Sequence, residues 1–260
     1  MLPGDLDPAL ARLGLAAART MPLAWAVPIF GGPALPTGLR AGLGLGLAVL
    51  CYPGLTGSAL PPSSLAWVLL LGREMVVGMV MAFVFAAMFR AAQAAGVLMD
   101  EARGAYGKLA RSPVGQDQSS PLGVLMNLLA CVVFLHIGGL RYLATALARS
   151  YDAIPIDATL RLGPGTQSAA RLAMVASVKL IESAVGLAAP VLVALLLTDL
   201  ALGAIGRAVP RVSVQFLGAP LRALLGLGAI LLAVGALDVA VQAGFRGFFG
   251  LLTSAFHLGQ

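Results

Sequence analysis

Six charged residues interrupt otherwise apolar runs: Arg73, Glu74, Lys179, Glu182, Asp199 and Asp238. An unpaired charge at the centre of a bilayer costs about 2.5–3.5 kcal/mol on insertion scales, so each needs a counter-charge or a functional use. Lys179 and Glu182 are three residues apart, share a helix face and can pair. Arg73 and Glu74 are adjacent, so on a helix their side chains diverge by about 100° and each needs a partner elsewhere. Such residues either line an ion or proton path or pair between helices and subunits. They lack the regular spacing of acidic groups in a transporter, so packing between helices or within an assembly is the simpler use. His136 reads the same way, as a hydrogen bond between helices rather than a relay.

No enzyme constellation accompanies these charges. A phosphate-binding G-x-x-x-x-G-K-[ST] loop fails at both ends: Leu109 follows Gly107-Lys108, and Ala102 stands where the first glycine belongs. H-E-x-x-H, G-x-S-x-G and metal-spaced Cys/His sets are missing, and His136 and His257 lie far apart. Cys51 and Cys131 each sit singly in an apolar run, as small buried thiols do. The chain is expected not to be an enzyme, with no cofactor and no metal, so any work it does is driven by a partner or a gradient.

The positioning elements follow from composition. Of 260 residues, 59% are hydrophobic and 11% charged, with mean hydropathy +0.94. Soluble domains carry about 25% charged residues, so a bilayer or an obligate assembly must cover the excess apolar surface. The formal charge of +6 does not indicate nucleic acid, because the basic residues are scattered singly without interleaved aromatics. They sit at the ends of apolar runs, where headgroups lie. The start of the chain, with Asp5 and Asp7, is acidic where a signal peptide is basic, so the first apolar run is expected to remain in the mature protein.

The expected fold is all-α: a polytopic membrane protein of helical hairpins with about six apolar segments, several kinked by proline. The segments are Leu13–Phe30, Leu39–Leu60, Leu65–Phe89, Leu122–Ala148, Leu172–Leu202 and Ala223–Val241, with a short tail at Phe245–Phe256. They are too long for strands and do not alternate. The uninterrupted stretches within them are short, such as Met75–Phe89 with 15 residues. That is roughly 22 Å of helix against a hydrocarbon core of about 30 Å. Pro22, Pro28, Pro53 and Pro190 fall inside segments, and small residues such as Gly42, Gly44 and Gly46 invite close helix packing. Several helices are therefore expected to pack on protein rather than lipid.

Two polar stretches separate the segments, Arg90–Pro121 and Arg149–Arg171. The first is rich in Gly and Pro and carries Asp100, Glu101, Arg103, Lys108, Arg111 and Asp117; loops of this length tend to be functional or disordered, and function is favoured for this one. With the amino terminus outside, inner loops hold eight Lys or Arg and outer loops five, in the direction of the positive-inside rule.

Five stretches, in order, carry a family resemblance: Ala18-Arg19 through Arg40; Arg73-Glu74-x-x-x-Gly78, continuing through Phe83 and Phe89 to Ala95-Gly96; Asp100–Ala105 with Ser119-Ser120-Pro121-Leu122-Gly123; Phe134–Gly139 with Ser150-Tyr151 and Pro155; and Ala189-Pro190, Asp199-Leu200 and Arg207-x-x-Pro210, leading to Phe216–Arg222. Together they resemble the export-gate subunit of type III secretion systems, called SctT in injectisomes and FliR in flagella. The Arg-Gly-Ala and Ser-Ser-Pro-Leu-Gly elements look more like the injectisome branch. Arg211, Ser213 and Gln215 depart from the family pattern, which has Gln, Asn and commonly Phe there.

The resemblance implies a single export-gate membrane domain over residues 1–260. Its partners would be two smaller hydrophobic export-gate subunits in several copies each, a large platform protein, unfolded exported proteins and membrane lipid, with no nucleic acid. The location implied is the bacterial inner membrane, multi-pass, with much of the complex raised above the membrane plane. A polar gating loop at about 103–120 would contribute to a pore plug through Arg103, Gly104, Gly107, Lys108, Arg111, Ser112 and Pro113. The charges Arg73, Glu74, Lys179, Glu182 and Asp199 would be buried in helix or subunit packing. The alternatives are the flagellar counterpart of the same family and, from another class, a small-solute transporter or channel with Lys179, Glu182 and Asp199 lining its path.

Overall fold

The computed structural model describes residues 7–30, 35–52, 64–104, 120–156, 164–208 and 214–255, and among these every regular element is helical. Seven α-helices follow one another: α1 Pro8–Ala26, α2 Thr37–Cys51, α3 Ser64–Ala102, α4 Pro121–His136, α5 Gly139–Ala153, α6 Pro164–Ala208 and α7 Val214–Ala255, with a 3-10 turn at Pro28–Phe30. The all-α expectation holds, and each apolar segment falls at least partly on a helix. Pro53 lies outside the described residues.

Local chemistry explains several ends. Asp7 caps α1, accepting the Ala9 N–H at 3.0 Å, and Pro8 supplies a preset φ at the first helical position. Pro22 does not end α1, which runs on to Ala26; Pro28 then opens the 3-10 turn. Pro190 and Pro220 are likewise carried inside α6 and α7.

Two boundaries differ from the sequence reading. Residues 90–102, assigned there to a polar loop, are the last turns of α3. Buried Ala91, Ala95 and Met99 recur at four-residue spacing, so a narrow apolar stripe continues the helix beneath an otherwise polar run. The fourth apolar segment is two helices, α4 and α5. The chain breaks at Gly138, where φ is 73°, a left-handed conformation that suits a residue without Cβ.

The chain divides into two compact units: Met1–Ala87, Gly138–Val178 and Arg246–Gln260 form one, and Met88–Ile137 and Lys179–Phe245 the other. In the first, α1 packs on α2, and Thr20 donates its hydroxyl to the Gly44 carbonyl at 2.8 Å. Leu15, Leu23, Leu70, Met81 and Val84 are buried there. In the second, Phe89, Phe134 and Phe245 form a mutual cluster with ring centroids 5.2–5.3 Å apart, close enough for tilted and edge-on aromatic contacts.

Two helices are long and apolar enough to cross a membrane, Ser64–Ala102 and Ala170–Ala208, or up to four if each of two bent helix pairs is one span. Six apolar segments on the sequence thus correspond to two to four spans among the described residues.

Candidate functional site

Two buried charge clusters organise the chain. In the first unit, Arg19 of α1 and Glu74 of α3 are both fully buried. Arg19 Nε donates to Glu74 Oε2 at 2.6 Å, and Arg73 Nη2 donates to Oε1 at 3.1 Å. Two guanidinium groups therefore share one carboxylate. The surplus positive charge is met by dipoles and a π face. Arg19 donates to Ser150 Oγ at 3.1 Å and to the Ile154 carbonyl at 2.8 Å, and its guanidinium carbon sits 4.1 Å from the Tyr151 ring centroid. Arg73 donates to the Pro155 carbonyl. Ser150 in turn donates to the Leu147 carbonyl at 2.7 Å. One turn beyond Glu74, Gly78 lies against the Arg19 backbone. A Cβ there would stand 2.8 Å from the Arg19 carbonyl carbon and 2.9 Å from its Cα, so the bare backbone lets α1 and α3 approach.

In the second unit, Asp100 near the end of α3 is fully buried. Its carboxylate accepts the Ser120 hydroxyl and the Leu122 N–H, the latter at 2.9 Å, and pairs with Arg103. Ser120 Oγ accepts the Gly123 N–H at 2.9 Å as the N-cap of α4. A hydroxyl and a carboxylate together thus satisfy free N–H groups at the positive end of that helix. Gly96, one turn before Asp100, lies against the Leu122–Gly123 peptide, where a Cβ would fall 2.5 Å from the Leu122 carbonyl carbon. Residues 103 and 120 are thereby held to a single carboxylate.

The remaining charges are more open. Asp199 pairs with Arg222 at 2.5 Å, but their side chains are 41% and 39% exposed, where an ion pair contributes little. Lys179 is half-buried and Glu182 exposed; no ion pair joins them among the described residues. Asp238 accepts from Gln242 at 2.9 Å. Of the five charges expected in packing, Glu74 is fully buried and Arg73 largely so. The divergence expected of Arg73 and Glu74 is overcome because the long Arg73 side chain bends back to its neighbour. Of the loop residues, Arg103 and Gly104 are described; Gly107, Lys108, Arg111, Ser112 and Pro113 lie outside the described residues, as do Arg211 and Ser213.

Sequence reasoning missed Arg19 and Asp100 as buried charges. Arg19 had a signal: no other charge occurs between Arg12 and Arg40. Asp100 had none, because its polar neighbours masked the end of a helix. Among the described residues no group of three or more His, Cys, Asp or Glu is gathered as a metal site would require.

The separate stretches of resemblance meet in these clusters. Arg19, Glu74, Gly78, Ser150, Tyr151 and Pro155 come from three stretches and meet around the Arg19–Glu74 pair. Ser120 and Leu122 meet the Asp100 carboxylate, and Gly96 lies against the Leu122–Gly123 peptide beside it. The family described as bacterial export proteins, family 1, matches residues 10–247. The chain belongs to this family. Among its relatives, the secretion system apparatus protein SsaT of Salmonella typhimurium is 28% identical over 65% of this chain and 64% of its own length. The flagellar biosynthetic protein FliR of Pectobacterium carotovorum is 27% identical over 80% of this chain and 78% of its own. The Yop proteins translocation protein T of Yersinia pestis is 29% identical over 75% and 74%. The chain thus spans just under two thirds of the Salmonella relative and about three quarters of the other two. Proteins named for secretion and for flagellar biosynthesis are both represented among these relatives.

Proposed function

We propose that this bacterial export protein is a core subunit of a type III secretion export gate, helping to form and plug the pore through which unfolded proteins leave the cell. The observation that carries the reading is the Asp100 cluster. It fastens both roots of the 103–120 loop to one buried carboxylate, so the loop leaves and re-enters the fold at a fixed point. A Gly- and Pro-rich loop with rigid roots can change conformation without disturbing the helices that carry it.

The partners in this reading are two smaller hydrophobic gate subunits in several copies each, a large platform protein, exported chains and lipid, in the inner membrane. Support comes from α6, whose apolar window is only 28% covered by the chain itself. Lipid or other subunits must cover the rest. The names of the relatives support both branches, and complementation of an injectisome or a flagellar deletion strain separates them.

The test is a chain with Gly104–Gln116 shortened, expressed with its gate partners. Small solutes or ions should leak across the membrane, while the assembled complex is recovered in normal amount. A tight membrane with a normally assembled complex would sink the plug role.

A further inference from the structure

The first unit contains a pocket of about 210 Å³ whose lining belongs neither to the charge clusters nor to the loop. Its wall is an aromatic pair: Tyr142 of α5 stacks on Phe249 of α7 with ring centroids 4.6 Å apart and planes 12° from parallel. Around that wall stand Arg149, Thr145 and Thr253, and Leu252 provides an apolar floor.

We infer that this pocket binds the phosphate headgroup of an anionic phospholipid. Three observations point there together. The polar donors are the Arg149 guanidinium and the Thr145 hydroxyl, suited to phosphate oxygens, while the Thr253 hydroxyl is turned to the Gly250 carbonyl at 2.9 Å; arginine's fork matches phosphate geometry in particular. The apolar remainder, Leu252 with the Tyr142–Phe249 wall, suits the glycerol and first methylenes of a lipid better than a free ion. Finally, α5 places the pocket on an interfacial element. Its outward residues Arg141, Tyr142, Thr145, Arg149 and Asp152 recur at helical spacing, opposite buried Leu143, Leu147 and Ser150. Cationic and aromatic residues on one face of such a helix lie at headgroup level, and basic pockets between membrane helices hold anionic headgroups. Asp152, three residues after Arg149, is the acidic group on that face.

The inference needs only a membrane location and is independent of the export reading. To test it, the full chain, in whatever complex it purifies with, is placed in nanodiscs of phosphatidylcholine with phosphatidylglycerol. Native mass spectrometry then counts the lipids kept on extraction. The wild type should keep phosphatidylglycerol in preference to phosphatidylcholine. Arg149→Gln should lower that retention about tenfold, the equivalent of ~1.4 kcal/mol, and Arg149→Lys should restore part of it. Arg207→Gln, on an exposed residue at the end of α6, should change nothing. Thr145→Val, similar in size, serves if Arg149→Gln fails to assemble, and should also lower retention. Equal retention by wild type and pocket variants overturns the proposal. So does complete displacement of the lipid by inorganic phosphate, which would mark a free-phosphate site, and so does a preference for phosphatidylcholine.

Discussion

Glu74 is the residue on which the first unit turns, because its one carboxylate answers two guanidinium groups and one of them, Arg19, is fully buried. Removing a partner from a buried pair is costly mainly because the other charge stays behind without compensation, typically about 3–5 kcal/mol. Glu74→Gln should therefore lower the thermal midpoint of the purified complex strongly. Arg73→Gln should lower it much less, since Arg73 is partly exposed and its loss leaves the Arg19–Glu74 pair intact. Similar melting shifts for the two variants would contradict the assignment of Arg19 as the essential partner. At the Asp100 cluster, Ser120→Ala removes the N-cap acceptor for Gly123 and one donor to Asp100. The expected loss is about 1 kcal/mol for the cap, read as a smaller downward shift in the same melt.

Between elements, the tightest fit is glycine against backbone. Gly78 faces the Arg19 peptide, and a main-chain group has no rotamer by which to move aside. Gly78→Ala should force α1 away from α3 and destabilise by about 1–3 kcal/mol, the usual penalty of overpacking. Gly72, six residues earlier in the same helix, has nothing within 4 Å of a built Cβ. Gly72→Ala should be neutral or stabilising by up to about 1 kcal/mol, through helix propensity alone. Paired thermal melts of the two variants decide the matter: shifts of equal sign would mean that the close approach of α1 to α3 is not a real constraint. The same logic explains why prolines fail to divide the long helices. A proline costs one helical hydrogen bond and some bending, whereas packing along α6 continues on either side of Pro190, with Leu187, Ala188, Val191 and Leu195 buried.

For the whole molecule, the contrast between α3 and α6 is decisive. The apolar window of α3 is 67% buried within the chain and that of α6 only 28%. Val178, Ile181, Val193, Leu196, Leu197 and Leu200 all point away from the chain's own atoms. A single chain cannot leave such a face to water, so its completed form lies in lipid or among other subunits. Leu196→Asp should cost about 2.5–3.5 kcal/mol if that face meets hydrocarbon. The fraction of chain recovered in the carbonate-washed membrane pellet should then fall. Full recovery with loss of the assembled complex would instead mean that subunits, rather than lipid, cover this face.

Much of this protein was legible in one dimension. Apolar content and run length dictate helices and a membrane, because backbone groups in hydrocarbon must bond within their own segment. The ordered stretches from Arg19 to Arg222 carry the family resemblance without any coordinates. Charges and prolines inside the runs also led to the expectation that several helices pack on protein; within the chain this holds for α3, whose apolar window is 67% buried, and not for α6, at 28%. What the sequence could not tell was which charge answers which. Arg19 and Glu74 lie 55 residues apart, Arg19 and Ser150 131 apart, and helical periodicity relates only neighbours three or four positions away. That rule allows a pair at Lys179 and Glu182, which no ion pair joins among the described residues, and missed the back-folded Arg73. It also ended α3 too early, at the point where polar residues begin, because the stripe of Ala91, Ala95 and Met99 is too narrow to stand out from composition. Tertiary structure decided these points for one physical reason. A buried charge is stable only beside its counter-charge, and helix packing alone brings that counter-charge within reach.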